Sequence, residues 1–297
     1  MRRGLRSLGF GLTVALLLLL LLVALAGASL RAKRDDAGVP AAVTPRVLTI
    51  RNFLSDIYAA RVGEHVIVFD AGMDPEGHAL ELLLKALGSD LGAVSDIFLT
   101  HGHFDHVAAA ARCPNARVHI GEGDAEALAH RASDLSVVPR LFGALIGVPG
   151  VEASNRLTHA VELDVGGGES VTALPLPGHT AGSMVFVFDG VLFTGDSILM
   201  GKQGLTLARD TEADPALTCE SLARISELVA SHRVSKLCTG HMGCTMPHQA
   251  TRWVEELTAD SRARCGAASP LEPGPAPKLP TQAHTESPLP APSVGTQ

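Results

Sequence analysis

An α/β domain of layered sheets is the fold this sequence predicts, on three observations. Short apolar runs alternate with segments of helical spacing across residues 45–264. Histidine and aspartate stand directly after four of those runs, in loops punctuated by glycine. Outside that span the composition changes abruptly, to leucine-rich at one end and proline-rich at the other. The chain therefore divides into 1–34 (signal peptide or transmembrane anchor), 35–44 (linker), 45–264 (the folded domain) and 265–297 (disordered Pro-rich tail).

In chain order, Arg2, Arg3 and Arg6 precede the uncharged stretch 8–30, which carries unbroken leucine over 16–22. A bilayer core takes about 20 such residues as a helix, so an N-terminal hydrophobic helix is expected. Ala24-Leu25-Ala26 and Ala26-Gly27-Ala28 also fit the small-x-small pattern of a signal-peptidase site. The expectation is a membrane-anchored protein with its catalytic domain extracytoplasmic, or a secreted or periplasmic one if the segment is cleaved. The tail, with eight prolines and no aromatic residue after 265, cannot bury enough surface to offset its ordering entropy.

Strands are expected at 47–50, 55–60 and 66–69, the last ending in Asp70-Ala71-Gly72. Asp70 serves there as partner of a metal ligand or, more simply, caps backbone amides in a tight turn. Leu80, Leu83, Leu84 and Leu87 share a helical face that stops at Gly88. Residues 94–99 form the strand before the histidine cluster, and an alanine-rich helix follows over 107–112. A strand at 116–120 and a helix at 124–130 come next, with His119 and His130 in ordinary core or surface roles. The irregular stretch 133–159 reads as a lid lining an apolar pocket or a patch resting on the membrane, or equally as an ordinary packed helix. Strands return at 161–165 and 170–174, then as a hairpin, 184–188 and 191–193, over Asp189-Gly190. A helix over 215–229 and a strand over 234–238 complete the domain.

The formal net charge of −7, with no basic stripe, argues against nucleic acid as a partner. Cys113, Cys219, Cys238, Cys244 and Cys265 are odd in number, contain no Cys-x-x-Cys pair and make no disulfide framework; Cys244 reads as a buried thiol. The chemistry lies in Thr100-His101-Gly102-His103-Phe104-Asp105-His106, where a strand ends and three imidazoles and a carboxylate crowd together. Neutral imidazole and carboxylate are ligands for zinc and related divalent ions. Three more candidates follow strands downstream: His179 in Pro177-Gly178-His179-Thr180, Asp196 in Thr194-Gly195-Asp196, and His241 in Gly240-His241. His101, His103 and His179 are expected around one ion, Asp105, His106 and His241 around a second, with Asp196 bridging.

These motifs, with Val68-Phe69-Asp70-Ala71-Gly72, resemble the metallo-β-lactamase-fold superfamily over about 47–258. The resemblance implies an αβ/βα four-layer sandwich of that type, with a dinuclear centre at one edge and all seven ligands present. It implies a hydrolase in which a hydroxide bridging two zinc ions (iron or manganese in some members) attacks an ester, thioester, lactone or similar bond of a small-molecule substrate. Asp105 would orient that nucleophile and carry its proton. Asp196 resembles the bridging carboxylate of glyoxalase II-like enzymes, lactonases and phosphodiesterases, which true β-lactamases of this fold lack. Glyoxalase II enzymes add a C-terminal helical domain that helps hold glutathione, whereas only 247–264 precedes the tail here. Two alternatives remain in view: a mononuclear iron dioxygenase acting on a persulfide, and a non-catalytic metal-binding member. The sequence leaves oligomeric state open.

Overall fold

Strand alternation sorts side chains to two faces, and in the central strands at 66–69 and 184–188 both faces are apolar and buried. A computed structural model describes residues 37–130, 143–144, 146–201, 204–207, 215–231 and 233–246, with isolated helical positions at 21, 25, 249, 252–253, 255–256 and 259. A seven-stranded sheet runs in sequence order: β1 (Ala41–Ala42), β2 (Val47–Asn52), β3 (Ser55–Val62), β4 (His65–Phe69), β5 (Val94–Phe98), β6 (Arg117–Gly121) and β7 (Asn155–Leu157). The first four strands pair antiparallel; β4 to β7 pair parallel, linked through α1 (His78–Ala86), the short α2 (Phe104–Val107) and α3 (Glu122–His130). The second sheet has five strands in the order β14-β11-β10-β9-β8, from β8 (Val161–Gly166), β9 (Glu169–Pro175), β10 (Met184–Phe188), β11 (Val191–Phe193) and β14 (Lys236–Cys238). A small hairpin, β12 (Ile198–Gly201) with β13 (Gly204–Leu207), precedes α4 (Pro215–Ala230).

Four layers need three interfaces, and three buried apolar clusters fill them. Ile57 and Ala59 of β3 and Val66 and Val68 of β4 join Leu80, Leu83 and Leu84 of α1 in the outer cluster. Their neighbours Tyr58, Ala60, Ile67 and Phe69 face the other way, into the cluster between the sheets. Val185 and Leu192 turn outward from the second sheet onto Leu222, Ile225 and Val229 of α4. Aromatics make up only 4% of the chain, yet most of them gather between the sheets. Phe69 stacks on Phe193 with ring centroids 3.9 Å apart and on Phe98 at 5.3 Å, joining the two sheets at their common centre.

Strand direction then places the loops. In the second sheet β11 and β14 run parallel, and β9 shares their direction because β10 is antiparallel to both its neighbours. The C-terminal ends of β9, β11 and β14 therefore open at one edge, carrying the loops of His179, Asp196 and His241. The parallel pairing of β4 with β5 likewise puts Asp70 beside the His101 loop.

Several expectations need adjustment. Helical structure after β5 starts at Phe104 rather than 107 and is followed by a single 3-10 turn, Ala110–Arg112, so Asp105 and His106 lie within the helical turn. The β12–β13 hairpin and β7 were not expected. Most of 8–30, part of 133–159 and the tail from 265 lie outside the described residues, as does the N-terminal helix expected there. Among the described residues no helix is long and apolar enough to cross a membrane. Ile146 and Val148 pack into the outer cluster.

Candidate metal centre

His101, His106 and His241 are each aimed by a hydrogen bond on the nitrogen that faces away from the centre. His106 Nδ1 donates to Asp70 Oδ2 at 2.8 Å, and His241 Nδ1 donates to the Leu54 carbonyl at 2.8 Å. His101 Nδ1 lies 3.1 Å from Thr100 Oγ1, which donates to Asp70 Oδ2 at 2.9 Å. A proton held on Nδ1 in this way leaves Nε2 a lone-pair donor, pointing inward.

The inward atoms form two trios. His101 Nε2 is 3.0 Å from His103 Nδ1, which is 2.9 Å from His179 Nε2. The three rings stand edge-on to one another with centroids 4.6–4.7 Å apart, so their nitrogens converge on one point. In the second trio Asp105 Oδ2 is 3.7 Å from both His106 Nε2 and His241 Nε2. Asp196 reaches both: its Oδ2 is 2.8 Å from His241 Nε2 and 3.6 Å from His179 Nε2, and its Oδ1 is 3.6 Å from His106 Nε2. All seven residues expected from the sequence are therefore brought together, in three overlapping groups: His101, His103 and His179; His101, His106 and Asp196; and Asp105, His106 and His241.

His106 Nε2 and Asp196 Oδ1 test whether a metal fits. Both atoms are fully buried without a hydrogen-bond partner, and they face each other. When His106 is neutral, with its one proton held by Asp70, two lone pairs are left aimed at the same space. Buried acceptors without donors are costly, and a divalent cation is the group that satisfies both. Nitrogen and carboxylate donors in this mixture suit zinc, iron or manganese.

Electrostatics in the metal-free protein divide the trios. Burial, reinforced by neighbouring imidazoles, holds His101 well below its ordinary value and lowers His103 to about 4, so both are neutral near pH 7. Burial pushes His106 down too, but the carboxylates of Asp196, Asp105 and Asp70 outweigh it and hold the imidazole well above its usual range. Burial would raise Asp196, yet His106 and His241 keep its carboxyl far below the usual carboxylate range. For His241, burial is outweighed by the hydrogen bond to Asp196, and the value rises.

Supporting residues were less visible in the sequence. Asp70, read from the sequence either as partner of a metal ligand or as a cap of backbone amides, accepts the Thr100 amide at 2.8 Å and also orients His106 directly and His101 through Thr100. It adopts a left-handed backbone, φ 56°, which aspartate tolerates better than most residues. Its place in Asp-x-Gly at a strand end was the available signal. Asp56 accepts the Gly243 amide at 2.8 Å and is braced by Arg51 at 2.6 Å, while Tyr58 donates to the Thr239 carbonyl; both tie down the His241 loop. Asp124 is buried at the start of α3 with no motif to mark it. At Gly240 a Cβ would fall on Asp196 Oδ1 and within 2.6 Å of His106 Cε1, so glycine beside His241 is a steric requirement.

The cysteine expectation is corrected. Cys238 and Cys244 form a disulfide, with Cα atoms 4.0 Å apart, that closes the loop carrying His241 at its middle; Cys219 is also disulfide-bonded. A five-residue gap around a metal-ligand motif is not a spacing that announces a bridge. The thiol of Cys113 is free and buried, and burial pushes it up to about 12.

Comparison with known proteins gives the family. The Metallo-beta-lactamase superfamily profile matches residues 50–241. Curated relatives named hydroxyacylglutathione hydrolase include one from Fuscovulum blasticum, 32% identical over 54% of this chain and 52% of its own length. Others come from Cereibacter sphaeroides (31%, covering 63% of each chain) and Acidiphilium cryptum (29%, covering 81% of this chain and 88% of the relative). The chain thus spans between about half and nine-tenths of these relatives. Among solved structures, a subclass B3 metallo-beta-lactamase of Bradyrhizobium japonicum superposes with a TM-score of 0.56 at 16% identity, over 78% of this chain and 95% of that one. A metallo-beta-lactamase from Elizabethkingia meningoseptica gives 0.57 at 14%, over 78% and 93%. At those identities the likeness speaks for the fold alone.

Proposed function

The chain belongs to the metallo-beta-lactamase superfamily, and from that premise we propose that it is a dinuclear zinc-dependent hydrolase acting on a small-molecule thioester or related ester. The observation that carries this reading is Asp196 set between two complete trios, with its Oδ1 and His106 Nε2 buried and unpartnered. The relatives named for hydroxyacylglutathione, itself a thioester, favour that bond over a lactone or a β-lactam.

In this reading His101, His103 and His179 would hold one ion and Asp105, His106 and His241 the other, with Asp196 set between the two groups. Bound there, the ions supply Lewis acidity toward a carbonyl oxygen and bring the pKa of a water from 15.7 toward about 7. Asp196 holds the two ligand sets at fixed separation. Asp105 Oδ2 orients the attacking water, takes its proton and delivers it to the leaving thiolate. Ser55 Oγ steadies that residue by donating to the Asp105 carbonyl at 2.5 Å. No side-chain nucleophile takes part. A mononuclear iron oxygenase would leave the second trio without a role, and no relative named above is an oxygenase.

The protein is also proposed to work outside the cytoplasm, anchored or released through its leucine-rich N-terminal segment. The Cys238–Cys244 disulfide supports an oxidising compartment. The test of function is a hydrolysis screen of the purified full chain across thioesters, esters, lactones, phosphodiesters and β-lactams, with and without chelator. Thioester or ester hydrolysis that is lost to chelator and restored by zinc is expected. Oxygen uptake by iron-loaded protein, without hydrolysis of any substrate, would contradict it.

A further inference from the structure

The first trio is drawn from two different sheets. His101 and His103 follow β5 of the first sheet; His179 follows β9 of the second. Met184 N–H to the Thr100 carbonyl, 2.8 Å, is a backbone bond that crosses between these segments. A buried side chain, Asp124, bonds to both segments. Asp124 Oδ2 accepts the Gly102 amide at 2.7 Å, from the residue between His101 and His103. The same oxygen accepts the Thr180 hydroxyl at 2.7 Å, from the residue next to His179. Its other oxygen accepts the Gly182 amide at 3.0 Å.

We propose that Asp124 is a positioning residue that fixes the spacing of His101, His103 and His179, and through it the affinity of the first ion's site. The inference rests on the two-ion reading above. Asp124 does not belong to any of the metal-holding groups, so its carboxylate acts on the ligands and not on an ion. A buried carboxylate is expensive to desolvate; three hydrogen-bond donors offset the cost here, and two of them lie beside ligands. The two segments also approach each other closely. A Cβ at Gly182 would come within 2.8 Å of Asp124 Cβ and Cγ, and one at Gly123 within 2.6 Å of the Ala181 backbone. The loop bearing Thr180 is thus pressed onto the first turn of α3 while the carboxylate grips it. The second trio has separate anchors in Asp70, Leu54 and Asp56, so the effect of Asp124 is confined to one site.

Asp124→Asn is the informative change, because each carboxylate oxygen faces a backbone N–H. Whichever way the amide is turned, its NH2 meets a donor, and either Gly102 or Gly182 loses its acceptor. Thr180→Val removes one arm with little change in shape and serves if Asp124→Asn does not fold. The experiment titrates the full chain with cobalt(II) against a chromophoric chelator and records the visible spectrum. His179→Ala and His241→Ala provide the spectra expected when the first or the second site is impaired. Two cobalt sites are expected in the unsubstituted protein. Asp124→Asn should weaken one of them by at least about tenfold, the scale usual for partners of metal ligands, leaving a spectrum like that of His179→Ala. Thr180→Val should weaken the same site by less. Wild-type affinity at both sites in Asp124→Asn, or in Thr180→Val where Asp124→Asn does not fold, overturns the proposal, as does a residual spectrum like that of His241→Ala. Fewer than two sites in the unsubstituted protein would instead refute the two-ion reading, a result distinct from any change at Asp124.

Discussion

At the scale of single residues, the account rests on carboxylates that serve two masters. Asp196 faces both trios, so Asp196→Ala should lower metal content and cut turnover by more than the roughly 10–100-fold typical of ligand partners; metal analysis beside a rate assay checks it. Full activity in that variant would refute the bridging role. Asp70→Asn should weaken metal binding by roughly 10–100-fold and at both sites, because Asp70 supports His106 directly and His101 through Thr100. Titration gives a third expectation, for metal-free protein. An unfolded histidine titrates near 6.5 and folded His103 at about 4, so the unfolded chain takes up protons in that window that the folded one refuses. This contribution is complete above pH 6.5 and drains away as pH falls toward 4, and buried His101 shifts the same way. His106, raised by its carboxylates, acts in the opposite sense: its contribution is present below 6.5 and is lost as pH rises through its folded value. Thermal unfolding of metal-free protein should therefore be most favourable to the fold near pH 6.5, and a stability flat from pH 4 to 6.5 would contradict the burial of His101 and His103. The ligands themselves were legible because metal sites use few residue types and these follow apolar runs. Asp124 was not legible, since one carboxylate at a helix start looks like any other.

Among elements, the loop from Cys238 to Cys244 has the most exposed consequence. The bridge closes a loop with a sequence separation of 6, and chain-entropy reasoning puts its contribution at about 2 kcal/mol. Cys244→Ser should lower stability to denaturant by about that amount and loosen the site of Asp105, His106 and His241 before the other. Unchanged binding at that site would show that the hydrogen bonds of Asp56 and Tyr58 suffice to hold the loop. Most strands were legible from period and length: β4 from Val66 onward and β10 are apolar on both faces because each is covered on both sides. The β12–β13 hairpin was not, since Ile198 to Leu207 carries little alternation and no strong turn pair. The helix at Phe104 was missed for a related reason: four residues are too few to show a period, and the ligand motif occupies all of them.

For the whole molecule, the metal centre is where two sheets meet, so metal binding and folding are linked. The aromatic layer at Phe69, Phe98 and Phe193 holds the sheets face to face, and Phe69→Ala should cost about 3–5 kcal/mol by opening a cavity there. Metal removal should destabilise the chain as well, by about 4 kcal/mol at a free concentration a thousand times Kd, and should act on both sheets together because each supplies ligands. The four-layer arrangement was legible only through the resemblance carried by the ligand motifs; period and composition alone predicted layered sheets without their order. The most direct test of the central claim is the metal content of the gently purified full chain, measured by elemental mass spectrometry. Two equivalents of a divalent transition metal, falling when Asp196 is replaced by alanine, is the predicted result. Less than one equivalent of any transition metal would contradict it.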